Sequence, residues 1–366
     1  MAEQHHPSHL HEAVKTNLVT KFQPFSLTLA NGANLTGILY LPSESSATSN
    51  SSAKPLVVGI HGATCSAYTW DVSPTYTASN PSDMFGVPFV AFNRPNFLDS
   101  SGWVIDRAAT EVQFDQPAAG DGYFAEEARW FHEYIFPALW TKFAVPNGCT
   151  SIVTTSHSMS VPPTVIAAGL YASAATRDQP AYTWAGIIIS GFGIEATEIR
   201  TQKSAALATN ELTPDDIPLG QDVTVHTPPF KTTDKQDLML GPSELTESSL
   251  RALISKQTTP FLQGEIMDMI GVWPNKATAY KALVRLPVLY GLGSHDWIWR
   301  AERRTVDEFL KGFTASERVE GAVVQGAGHA IELSPVNAGW WARMFGWAME
   351  VAGGLEVQKR GIPVYP

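Results

Sequence analysis

The stretch from Ser151 to Ala175 constrains the chain more than any other. Ser151-Ile152-Val153-Thr154-Thr155 is rich in β-branched residues and reads as a buried strand. Ser156-His157-Ser158-Met159-Ser160 follows, with small residues two before and two after Ser158. The apolar stretch Val161 to Ala175 is then long enough for a helix. A strand that becomes a helix within so few residues needs a sharp, strained turn, and only small side chains fit on either side of its tip. Glycine usually fills both positions; here serine does. The two flanking hydroxyls, on Ser156 and Ser160, are expected to point away from the tip and bond backbone.

The alternation of strand and helix runs through the rest of the chain. Val19 to Ala30, Ala33 to Leu41, Pro55 to Ile60, Val87 to Phe92, Tyr182 to Ile189, Leu286 to Gly291 and Arg318 to Val324 read as strands. Helical patterns fall at Glu126 to Phe143, Trp299 to Phe313 and Glu332 to Val351. Such alternation predicts an α/β fold, with a mostly parallel central sheet of about eight strands and helices on both faces. Asn31-Gly32 predicts a hairpin between the first two strands, and hence an antiparallel edge.

One interval breaks the pattern. From Gly191 to Ala282 no sheet strand is evident. Helix-like pieces (Glu195 to Ala208, Ser243 to Gln257, Pro260 to Ile270) surround a polar middle, Thr213 to Asp237. This is too long for a loop in a compact domain. The expected organisation is a flexible tail over residues 1–18, a core formed by 19–190 and 283–366, and a helical cap inserted over 191–282. Ser43 to Lys54, almost all Ser, Ala, Thr and Asn, reads as a surface loop.

The net charge of −10, with no cluster of basic residues, argues against nucleic acid and anionic membrane surfaces as partners. Two cysteines, Cys65 and Cys149, cannot build a disulfide framework and suggest a reducing compartment. No signal peptide or membrane span is read, so the expected location is cytoplasmic. His5, His6, His9 and His11 lie in a patternless segment and read as a solvated tail. Asp99, Asp106, Glu111, Asp115 and Asp121 match no calcium loop and read as solvated surface. No metal and no cofactor is therefore expected. The oligomeric state is left open.

In open α/β sheets, ligands bind past the carboxyl ends of the strands. His61-Gly62-Ala63-Thr64 follows the third strand and Ser158 the fifth. Gly291-Leu292-Gly293-Ser294-His295-Asp296 and Gln325-Gly326-Ala327-Gly328-His329 follow the last two. Serine is a poor nucleophile until a base takes its proton, histidine titrates near neutrality, and a carboxylate can orient the histidine. Serine, acid and histidine in this order, each past a strand, resemble the α/β-hydrolase superfamily in its lidded serine esterase/lipase form, of fungal and bacterial type. The resemblance covers Leu56 to Val351 and rests on H-G-A, S-H-S-M-S, G-S-H-D and G-A-G-H.

It implies Ser158 as nucleophile, Asp296 as acid and His329 as base. The oxyanion hole would come from the N–H groups of Met159 and Ala63, with Thr64 the nearby alternative, at about 3 kcal/mol per donor. Thr64, Trp273 and Trp297 are placed as substrate-binding residues. Other readings stand beside these. Ser158 and Asp296 are also helix-capping residue types. His61 and His157 read as structural, bonding nearby backbone, and His295 as an exposed neighbour. Cys65 reads as a small wall residue, and Trp340, Trp341 and Trp347, at helical spacing, as core.

The implied function is hydrolysis of an ester, thioester or lactone of a hydrophobic small molecule through an acyl-enzyme on Ser158. The apolar content of the interval (Leu250, Ile254, Leu262, Ile266, Trp273 among others) suits such a partner. The same three residues could serve C–C bond hydrolysis, acyl transfer or lyase chemistry in secondary metabolism, and the scaffold could also bind a ligand without catalysis.

Overall fold

Eight strands form one sheet: β1 (Gln23–Thr28), β2 (Asn34–Tyr40), β3 (Pro55–Ile60), β4 (Phe89–Phe92), β5 (Ser151–His157), β6 (Trp184–Ser190), β9 (Val288–Gly293) and β10 (Val319–Val324). Their order across the sheet is β1-β2-β4-β3-β5-β6-β9-β10. The computed structural model describes residues 21–43, 53–102, 122–175, 181–201, 226–227, 232–256, 259 and 261–362. Strands β7 (His226–Thr227) and β8 (Phe261–Leu262) pair as a separate antiparallel ribbon. The expected hairpin forms, with Gly32 at φ +83 in its turn, and β2 also pairs antiparallel with β4. All other pairings in the main sheet are parallel. The His-rich tail, most of the Ser43 to Lys54 loop, and Asp106, Glu111, Asp115 and Asp121 lie outside the described residues.

Both faces of the sheet are buried, so its central strands carry continuous apolar runs. On one face the Val161–Ala175 helix packs against the Gly122–Trp130 helix and the Trp273–Ala282 helix. On the other lies the Asn337–Lys359 helix, whose tryptophans are core residues as expected. Strand glycines seat them: a Cβ on Gly291 would stand 2.5 Å from the Trp340 ring, and one on Gly186 2.8 Å from that of Trp347. Among the described residues, no helix is long and apolar enough to cross a membrane.

Several boundaries differ from the sequence reading. The helix expected from Trp299 begins at Arg303, because Asp296 engages the backbone of Ile298 and Trp299 in a turn that precedes it. The C-terminal helix begins at Asn337 rather than Glu332, after a short 3₁₀ turn at Ile331–Leu333. Within the interval, the Thr232–Leu240 and Trp273–Ala282 helices were not read from the pattern. Trp273 is buried in the core, where it packs edge-on to Phe192 and stacks on Tyr280.

A buried charge cluster ties this interval to the rest of the molecule. Arg94, just past β4, donates from Nη1 to both carboxylate oxygens of Glu127 at 3.0 Å, and its Nη2 lies 2.5 Å from Glu265. Nearby, Asp268 accepts the N–H of Phe124 at 2.7 Å. Its carboxylate fills the space beside Gly122, which has φ +82 and no room for a Cβ. One guanidinium cannot neutralise two buried carboxylates. Burial pushes Glu127 up to about 8 against the pull of Arg94, with Glu265 adding to the rise, and burial pushes Asp268 up to about 7.

These raised carboxyls have a consequence for stability. The native state holds protons that the unfolded chain has released above about pH 4.5, so stability falls as pH rises towards 8. Buried His61 and His157 are held neutral, well below the ordinary histidine value, and act in the opposite sense only below about pH 6.5. Thermal unfolding is therefore expected to lose on the order of 2 kcal/mol between pH 6.5 and 8. Glu127→Gln, which leaves Arg94 with Glu265 alone, should flatten that slope. An unchanged slope in the variant would contradict the assignment.

Candidate active site

The turn after β5 has the geometry its small residues predict. Ser158 has φ 55, a left-handed conformation that costs a non-glycine residue about 1–3 kcal/mol. The flanking serines help to hold it. Ser160 Oγ donates to the carbonyl of Ile60 at 3.0 Å and accepts the His157 N–H at 3.0 Å, while Ser156 Oγ donates to Ile188 O at 3.3 Å. Both are fully buried, and both bond backbone. Gly62 presses on the turn from the side: a Cβ there would lie 2.9 Å from Ser158 Cβ. The H-G pair after β3 thus brings a backbone loop against the serine that no side chain at Gly62 would allow.

Ser158, His329 and Asp296 form one hydrogen-bonded chain. His329 Nε2 lies 3.0 Å from Ser158 Oγ, and His329 Nδ1 lies 2.9 Å from Asp296 Oδ2. A carboxylate only accepts, so Nδ1 carries the proton and Nε2 is left to accept from the Ser158 hydroxyl. The other Asp296 oxygen accepts the N–H groups of Ile298 at 2.7 Å and Trp299 at 3.0 Å, which fixes the carboxylate plane. His329 and Asp296 are buried, while Ser158, Met159 and Ala63 are partly exposed. Glycines let the acid and histidine loops touch, since a Cβ on Gly293 would stand 2.0 Å from the Gly328 carbonyl. The same loops are cross-linked by His295 N–H to Ala327 O at 2.8 Å.

The loop beside Ser158 is held from several directions. His61 Nδ1 bonds the Gly62 carbonyl at 2.8 Å, and Nε2 accepts the Arg94 N–H at 3.1 Å, the structural role expected of it. Thr64 is buried at φ 56. The N–H groups of Ala63 and Thr64 give to no acceptor among the described residues. Trp297 is partly buried, and its carbonyl accepts from Thr197 Oγ1. His295 is exposed as expected, and Cys65 is buried in a cluster with Met239, Leu240 and Leu250.

His157 departs from its expected backbone bond. Its Nδ1 meets Ser190 Oγ at 3.1 Å and stands 3.8 Å from Glu332 Oε2. Its ring packs edge-on to His329, with centroids 4.9 Å apart. Burial, and then the neighbouring His329, hold His157 neutral. Glu332 is buried and raised by desolvation, and it accepts the Trp340 indole N–H at 3.0 Å. This group behind His329 was not read from the sequence. Ser190 ends a strand and Glu332 reads as the first turn of a helix, so no local pattern joins them.

The eight-stranded sheet, the strained serine turn and the order of these loops define the α/β-hydrolase fold, and the chain has it. Solved structures agree. The chain is similar to naproxen esterase (carboxylesterase NP) from Bacillus subtilis, with TM-score 0.55 and 14% identity, over 93% of this chain and 96% of that one. It is similar to a soluble variant of monoglyceride lipase from Saccharomyces cerevisiae, with TM-score 0.53 and 14% identity, over 92% and 97%. A haloalkane dehalogenase loop variant from Bradyrhizobium elkanii is similar to the same degree, with TM-score 0.54 and 12% identity, over 92% and 99%. At such identities the likeness is one of fold. No family model and no curated protein matches the sequence.

Proposed function

We propose that the protein is a serine hydrolase acting on an ester-type bond of a hydrophobic small molecule. The observation that carries this reading is the continuous Ser158–His329–Asp296 chain, at 3.0 and 2.9 Å, with Ser158 at the tip of a strained turn. His329 Nε2 takes the Ser158 proton as Oγ attacks the carbonyl, and Asp296 stabilises the imidazolium that forms. The negative charge on the tetrahedral intermediate is met by the N–H of Met159 and that of Ala63 or Thr64. His329 returns its proton to the leaving group. Water, deprotonated in turn by His329, then releases the acyl group from Ser158.

Substrate selection is assigned to the interval 191–282, read as a cap. Its Met239, Leu240, Leu250 and Ile254 pack with Cys65, Ala330 and Leu333, so an apolar layer lies over the loops beside Ser158 and His329. Esterase, lipase and dehalogenase names among the similar folds are compatible with hydrolysis, and the serine at the elbow favours the ester-directed chemistry. A panel of p-nitrophenyl esters from acetate to palmitate, with matched thioesters and lactones, tests the reading. Turnover with a clear chain-length preference is expected. Failure to cleave any member would overturn it.

A further inference from the structure

The loop beside Ser158 is held by donors that come from far along the chain. Lys235, on the Thr232–Leu240 helix, donates from Nζ to the Thr64 carbonyl at 2.5 Å. The N–H of Thr259 donates to the same oxygen at 3.0 Å, and Thr259 Oγ1 donates to the next carbonyl, that of Cys65, at 3.0 Å. A carbonyl oxygen has two lone pairs, and both of those on Thr64 are in use. These bonds fall on a β-branched residue at φ 56, a conformation such residues adopt only when their surroundings impose it.

Lys235 is an unusual choice of prop. It is 2% exposed, burial holds it below the ordinary lysine value, and among the described residues no carboxylate stands within ion-pair distance of it. A buried ammonium whose hydrogen-bond partner among the described residues is a carbonyl is costly to the fold. The same helix also reaches the other half of the site. Met239 O accepts the N–H of Ala330, next to His329, at 2.8 Å, and Leu240 O lies 2.5 Å from where a Gly328 Cβ would stand. One short helix therefore touches both the loop beside the nucleophile and the loop carrying the base.

We infer that Lys235, with Thr259, is a positioning residue for the oxyanion loop, so that the inserted interval helps to assemble the oxyanion hole as well as to wall the pocket. Fixing the Thr64 carbonyl on one side and its φ on the other gives the uncommitted N–H groups of Ala63 and Thr64 a set direction. The inference rests on the serine hydrolase reading and adds a residue that neither the serine turn nor the histidine loop contains.

The test uses the full chain with p-nitrophenyl butyrate and an arylboronic acid, whose serine adduct carries the tetrahedral oxygens that the hole would bind. Lys235→Met keeps the apolar stem and removes the donor. It is expected to lower kcat about tenfold to a hundredfold, to weaken boronate binding in parallel, and to leave KM within about threefold. Lys235→Arg, which keeps a charged donor, should recover part of both losses. A merely structural role would lower the melting temperature without this split. Should Lys235→Met not fold, Thr259→Val removes only the bond to Cys65 and should show the same paired loss at about threefold. Lys235→Met that folds with kcat and boronate affinity within twofold of wild type would overturn the inference alone. Wild-type protein that neither cleaves the ester nor binds the boronate would overturn the hydrolase reading, and the inference with it.

Discussion

Ser158→Ala is expected to lower kcat by about 10⁴- to 10⁶-fold while the protein stays folded. On the proposed mechanism the loss is large because Oγ would form the covalent bond, and the neighbouring serine hydroxyls are not placed to replace it. Ser156 and Ser160 flank the turn, but both are fully buried and committed to backbone, to Ile188 O in one case and to Ile60 O in the other. Those same bonds explain why folding should survive. They hold the turn at φ 55 through the neighbours of Ser158, not through its own side chain. Circular dichroism and a melting curve check the fold, and ester turnover checks the chemistry. A folded variant with wild-type kcat would contradict the role of Ser158.

Asp296→Asn is expected to cost about 10⁴-fold in kcat, and the structure shows why an isosteric change should be so damaging. Asp296 Oδ1 accepts two backbone N–H groups, from Ile298 and Trp299. An asparagine would keep its carbonyl oxygen there and turn its NH₂ towards His329 Nδ1. The imidazole would then have to accept at Nδ1 and carry its proton on Nε2, facing Ser158, where it cannot act as a base. KM should change little, since Asp296 is buried and its oxygens are taken by His329 and two backbone N–H groups. Activity within tenfold of wild type would show that Asp296 does not set the tautomer of His329.

The parts legible in the sequence are those where tight geometry dictates residue type. The small residues around Ser158, Gly62 beside it, and Gly293 and Gly328 between the last two loops each mark a close backbone approach. Short apolar strands and Asn31-Gly32 specified the sheet and its antiparallel edge. What the sequence does not reveal depends on contacts distant along the chain. Arg94 joins Glu127 and Glu265, Lys235 reaches Thr64, and His157 turns to Ser190 rather than to its own backbone. Trp273 reads as a pocket residue in the sequence, where the helix that carries it has no clear apolar period. An apolar side chain in an unplaced segment fits core and cavity equally well, and the contacts of Trp273 with Phe192 and Tyr280 come from elements that the sequence does not bring together. The helix at Thr232–Leu240 lies in a stretch whose composition is polar, and it forms where Met239 and Leu240 bury against the histidine loop.

The most direct measurement is peptide mass spectrometry of the protein after brief exposure to a fluorophosphonate. Nucleophilic catalysis by Ser158 requires one adduct, on the peptide that contains Ser158, and its loss or severe slowing in His329→Ala. No adduct on intact protein, or an adduct on a different residue with Ser158 unmodified, would contradict the assignment of Ser158 as the nucleophile.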